Sequence, residues 1–286
     1  MPDIDIEMVI AAFGCGIFAS ALGIIGSFSF SGFIVLLGVV LTICGYPEFQ
    51  AVVAFGPCFG PHVFFASAVA ATAYAARKGD LLDGCEDMLL DGCNDVLVPM
   101  NRFKRVDILI VGGVFGIVAH IVQTLLSQTA ITVDTVAFTV VISNLIVRVA
   151  IGRSGIKGFF GKSPKAIKVF SFESKLPYHL LLGFSVGILS SYLTQVTGSA
   201  VIGFGISAVT LIFLFHSEVP VTHHISICAA YATVATGNIL VGGLFGALAC
   251  VIGIMFINIF NKNADTYMDF PALTIASLSA IIFTFM

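Results

Sequence analysis

Apolar runs separated by short polar or glycine-containing stretches recur along the whole chain, and they predict ten membrane crossings. In the first half these are Met8–Phe28, Ser31–Cys44, Glu48–Ala76, Asp107–Ser127 and Asp134–Ile151. In the second they are His179–Gln195, Ser199–Phe215, Val219–Thr236, Asn238–Phe260 and Asp269–Met286. The first and second crossings of each half are joined by very short links, which predicts antiparallel neighbours. One run cannot be a continuous helix. It reads Phe55-Gly56-Pro57-Cys58-Phe59-Gly60-Pro61-His62, and each proline removes an amide donor and clashes with the preceding turn. A short helix near Glu48–Ala54, a break, and a second helix from about Pro61 are expected, because protein or water must satisfy the freed backbone.

The pattern occurs twice. Gly16-Ile17-Phe18-Ala19-Ser20 returns as Gly187-Ile188-Leu189-Ser190-Ser191, and Gly32-Phe33 as Gly203-Phe204; 187−16 and 203−32 both give 171. His62 with Ala68, Ala71 and Thr72 matches His223 with Ala229, Ala232 and Thr233. Val111-Gly112-Gly113-Val114-Phe115-Gly116 recurs as Val241-Gly242-Gly243-Leu244-Phe245-Gly246. Asp134-Thr135-Val136-Ala137-Phe138-Thr139 matches Asp269-Phe270-Pro271-Ala272-Leu273-Thr274. Five matches in one order imply two homologous halves, and in a membrane chain such repeats point to a solute pathway at their interface. The glycine pairs let helix backbones approach closely in lipid.

Composition makes the membrane reading firm. Hydrophobic residues are 58% and charged residues 10% of the chain, against about 25% charged in soluble domains; the mean hydropathy is +1.07. The acidic start, Pro2-Asp3-Ile4-Asp5-Ile6-Glu7, lacks the basic region of a signal peptide, so the first apolar segment is expected to be retained. The net charge of −3 decides little, whereas its distribution sets orientation. Arg77, Lys78, Arg102, Lys104 and Arg105 lie beside the third and fourth crossings. Arg148, Arg153, Lys157, Lys162, Lys165, Lys168 and Lys175 lie at the junction of the halves, and Lys262 precedes the tenth crossing. With ten crossings all three groups fall on one side, which the positive-inside rule makes cytoplasmic, leaving both termini outside. Five crossings per half is odd, so the halves are expected to be inverted. Tryptophan is absent, so Tyr and Phe must serve at the interfaces.

These readings converge on an all-α integral membrane protein of about ten transmembrane helices, in two inverted five-helix repeats, with a broken or re-entrant third helix in the first half. Residues 1–151 form the first repeat, with a cytosolic loop at 77–106. Residues 152–177 form a basic cytosolic linker, and residues 178–286 the second repeat. Within the loop, Leu81-Leu82-Asp83-Gly84-Cys85 repeats as Leu89-Leu90-Asp91-Gly92-Cys93. Cys and Asp together allow a metal reading, but the spacing matches no paired C-x₂-C zinc pattern, and no metal or other cofactor is expected. The plainer reading is an acidic loop that offsets nearby basic residues. The seven cysteines read as reduced thiols.

Candidate chemistry lies near the breaks. Gly60 and His62 sit at the first-half break, and Thr222, His223, His224 and Ser226 at the corresponding place in the second. Helix N-termini there would present free amides to a solute, and intramembrane ionisable groups are costly and usually functional. Packing at an interface explains the histidines equally simply. Asp134 and Asp269 precede the last helix of each half, where capping competes with a pathway role. His120 breaks the repeat symmetry against Cys250 and reads as a packed polar residue, while His216 and Glu218 read as solvated.

In layout this crossing pattern, with its paired histidines, is similar to the five-plus-five inverted repeats of urea transporters and ammonium channels, although no sequence motif of either is present. Layout gives no substrate. The expected function is a channel, facilitator or secondary transporter for a small polar solute, neutral or anionic, in the plasma (inner) membrane. A homo-oligomer in the lipid bilayer is expected, with no nucleic-acid partner. A scaffold or partner subunit docking through the acidic loop is the alternative. An intramembrane enzyme is disfavoured, since H-E-x-x-H, G-x-S-x-G and Gly-rich nucleotide motifs are all missing.

Overall fold

The computed structural model describes residues 5–79, 90–93, 95–153, 172–261 and 264–286. Among them every regular element is helical and no strand occurs. The α-helices are α1 Ile6–Leu22, α2 Ile24–Ile43, α3 Phe64–Arg77, α4 Val106–Ser127, α5 Thr135–Ala150, α6 Phe172–Thr197, α7 Ile202–Thr210, α8 His223–Thr236, α9 Ile239–Phe260 and α10 Phe270–Phe285. Each lies mainly within one of the apolar runs. Four of them, α2, α4, the Lys175–Thr197 part of α6, and α9, are long and apolar enough to cross a membrane. By contrast α3 and α8 have 14 residues each, about 21 Å of helix against a hydrocarbon layer of about 30 Å.

The first break is not where the hydropathy pattern puts it, after Phe28, but at Gly23. This residue has φ 79°, and its N–H caps α1 on Ala19 and Ser20 carbonyls. A β-carbon there would also collide with the backbone at Val98 and Pro99, so only glycine fits. The expected interruption of the third run is present. A single π-helical turn, Gln50–Ala54, leads into non-helical backbone at 55–63 before α3 begins. Gln50 packs on Gly38 and Phe59 O accepts from Ser31 Oγ at 2.9 Å, so this stretch runs back along α2.

Glycines set the packing. A β-carbon on Gly16 would meet Gly112, and one on Gly116 would meet Ala12, so α1 and α4 are in backbone contact and run antiparallel. Gly187 against Gly242, and Gly183 against Gly246, join α6 to α9 in the same way. Ser20 Oγ bonds Gly16 O and Ser191 Oγ bonds Gly187 O, each at 2.7 Å. Two further pairs join elements of different halves: α2 packs on α7, and α5 on α10. Large side chains such as Leu181, Leu189, Leu240 and Leu244 remain exposed, an outer surface suited to lipid rather than water.

Arg77, Arg105 and Arg153 mark one end of the bundle, hereafter the basic end. Arg77 closes α3 on the carbonyls of Ala150 and Ile151, and Arg105 pairs with Asp107 at 2.7 Å. Arg148, counted in sequence among the basic residues at the junction of the halves, is not at the surface. It is 0% exposed and donates to Phe260 O (2.8 Å), Thr266 O (2.6 Å) and Thr266 Oγ1 (3.1 Å). It ties α5 to the end of α9 and the approach to α10. The Leu81–Cys85 copy of the acidic repeat and the linker lysines from Lys157 to Lys168 lie outside the described residues.

Candidate functional site

α5 and α10 each begin with an aspartate whose side chain caps its own helix. Asp134 Oδ1 accepts from Ala137 N and Asp269 Oδ2 from Ala272 N, both at 2.9 Å. The two helices lie antiparallel and bind reciprocally. Asp134 N donates to Ser279 Oγ at 2.9 Å, and Asp269 N donates to Asn144 Oδ1 at 3.0 Å. Near the other end of the pair, Thr132 and Thr284 hydroxyls meet at 2.9 Å. Asp269 is thus level with Asn144, ten positions along α5 from Asp134, which puts the two carboxylates about 15 Å apart along the bundle.

Both face one cavity of about 230 Å³ between α2, α3, α5, α7, α8 and α10. Its polar lining is Asp134, Asp269, His223 and Tyr231; the rest is apolar and includes Phe28, Phe55, Phe65 and Phe204. Tyr231 donates to Asp134 Oδ2 at 2.6 Å and Tyr267 to Asp269 Oδ1 at 3.3 Å. A second cavity of about 280 Å³ lies towards the basic end, reaching Cys93, Val96 and Asn261. Phe28, Phe65, His223 and Asp269 line both. Their rings are in contact: Phe28 lies 5.3 Å from Phe65 and 4.5 Å from His223, centroid to centroid. Phe204 adds edge-on contacts to Phe28 and His223, each at 5.8 Å. An aromatic partition with one imidazole and one carboxylate is therefore shared by two adjacent cavities.

The residues anticipated from sequence divide into three groups. His223, Asp134 and Asp269 line the central cavity. His224 faces elsewhere, lining a cavity of about 410 Å³ with Lys175, His179 and Glu218 between α6 and α9. His62, Gly60, Thr222 and Ser226 line none of these three cavities. His62 is buried two residues before α3, with its ring against Gly60 and His120 nearby, whereas His223 is the first residue of α8. The two histidines are thus equivalent in sequence but not in placement, since 55–63 carries extra chain. Ser226 bonds Ser207 Oγ (2.7 Å) and Thr222 O (3.1 Å), and Ser190 Oγ bonds Ser226 O (2.7 Å), so these hydroxyls anchor α8 to α6 and α7.

Sequence reading missed Phe28, Phe65, Phe204, Tyr231 and Tyr267, which are unremarkable in a chain with 27 phenylalanines. It also missed Asn144 and Ser279, although 279−144 equals 269−134, so extending the aspartate match by ten positions finds them. Cys93 Sγ bonds Asn261 O at 3.3 Å, and among the described residues no three metal-binding side chains converge.

Comparison with known proteins places the chain without naming an activity. A family of unknown function (DUF7973) matches twice, over residues 1–175 and again over 174–285, and the chain belongs to that family. No curated protein matches, and no solved structure does.

Proposed function

We propose that this family member is a conduit, a facilitator or secondary transporter, moving a small polar solute between two inverted five-helix halves. The supporting observation is the pair of adjacent cavities sharing Phe28, Phe65, His223 and Asp269. Two vestibules meeting at a closed aromatic partition are what alternating access, or a gated channel, requires. The inverted arrangement is supported by the reciprocal α5–α10 hydrogen bonds, because antiparallel helices exchanging equivalent contacts are related by a two-fold axis across them. The double family match supports the repeat itself.

On this reading the basic end is cytoplasmic. Short helices α3 and α8 begin inside the bundle, where Pro61, Phe65 and His223 reach the central cavity, as in transporters built on discontinuous helices. The two carboxylates disfavour the anionic part of the solute range expected from sequence. Proteoliposome permeation over a panel of small neutral and charged solutes tests the proposal. One or a few solutes should enter above the lipid background, faster with Phe28→Ala and slower with Phe28→Trp. Background rates for every solute in all three proteins would contradict it.

A further inference from the structure

We infer that the central cavity binds a small monovalent organic cation carrying N–H groups, of the alkylammonium class. This names the solute of the proposed conduit and rests on that reading for the ligand's route. Its own support is the charge balance of the cavity. Asp134 and Asp269 line it, while no Lys or Arg does among the described residues. Their recorded partners are neutral donors: the Ala137 and Ala272 amides and the Tyr231 and Tyr267 hydroxyls. A carboxylate offers about four acceptor sites, so each retains unused ones. Helix N-termini contribute only about half a charge, so a carboxylate in a dry interior is neutralised either by a proton or by a bound cation, and the cavity supplies no Lys or Arg for it among the described residues.

An independent observation comes from His223. The residue is 5% exposed, it lines the cavity, and its buried Nδ1 has no hydrogen-bond partner. As a neutral imidazole it offers one ring nitrogen as an acceptor to a ligand N–H. The walls supply the rest of the recognition, since the faces of Phe28, Phe55, Phe65 and Phe204 carry negative potential that attracts a weakly hydrated cation. A hard divalent metal is poorly served, because it needs six or more oxygens and the two carboxylates lie about 15 Å apart. That separation instead makes two stations: Asp134 with Tyr231 first, then Asp269 with His223 at the partition.

Equilibrium dialysis of the purified full chain in detergent, with n-propylammonium against 1-propanol, tests this without any transport. The ammonium should bind at least tenfold tighter than the alcohol, and Asp269→Asn and Asp134→Asn should each weaken it at least tenfold. Asparagine is as good a helix cap as aspartate, so these variants keep the fold. Equal binding of the two ligands, no ammonium binding, or undiminished binding by both variants would overturn the inference. The wild-type comparison stands by itself should a variant fail to fold. Entry of neutral solutes alone into proteoliposomes would retain the conduit and reject the cation.

Discussion

Asp134 and Ser279 are joined by a 2.9 Å hydrogen bond from backbone amide to hydroxyl, and the equivalent bond, rotated, runs from the Asp269 amide to the side-chain carbonyl of Asn144 at 3.0 Å. Each aspartate thus does two jobs. Its carboxylate caps its own helix, while its N–H fastens that helix to the opposite half. The caps are consequently part of the junction that also forms the central cavity.

Removing a cap should therefore loosen both halves. Asp134→Ala and Asp269→Ala are each expected to cost about 1 kcal/mol through the lost cap. Thermal unfolding in detergent should show both melting below their Asn counterparts.

Arg148 is a buried clamp. Arg148→Met keeps much of the volume but leaves the Phe260 and Thr266 acceptors bare, and should destabilise by about 3 kcal/mol. Arg77→Met, at the exposed rim, should cost less in the same melting experiment.

Close glycine contacts tolerate no side chain. A β-carbon on Gly112 would fall on Ser20 Oγ, and one on Gly242 on Ser191 and Thr233 hydroxyls. Gly112→Leu and Gly242→Leu should each abolish the folded protein, seen as loss of the monodisperse peak in size-exclusion chromatography. Gly14→Leu, where a β-carbon meets nothing, should behave as wild type.

Cys93 is a thiol buried near the basic end. Burial foremost, then the neighbouring Asp91 carboxylate, pushes its pKa up to about 12. Only the thiolate attacks a maleimide, so Cys93 should stay unlabelled at pH 7 and react appreciably only as pH rises towards that value. Mass spectrometry of labelled peptides checks this.

The sequence made the helices legible because the apolar runs are long and the breaks carry glycine, proline or clusters of polar residues. It identified both cap aspartates because their match survives over six residues. The partition was not legible, since nothing distinguishes Phe28 or Phe204 from other phenylalanines until the helices are packed. The burial of Arg148 was not legible for a related reason: charge counts cannot tell a solvated cation from one folded onto Phe260 and Thr266 carbonyls. His62 and His223 differ in placement because the first-half break carries additional residues, so equivalence in sequence no longer means equivalence in space.

The most direct test of the central claim is thiol accessibility from each side of a sealed membrane, in a background without native cysteines. Val136→Cys would sit in the central cavity and Val96→Cys in the cavity towards the basic end. A membrane-impermeant thiol reagent should label Val136→Cys only from outside and Val96→Cys only from the cytoplasmic side, with Phe28→Ala making each reachable from both. Labelling of both positions from one side with Phe28 intact would contradict two vestibules separated by an aromatic partition.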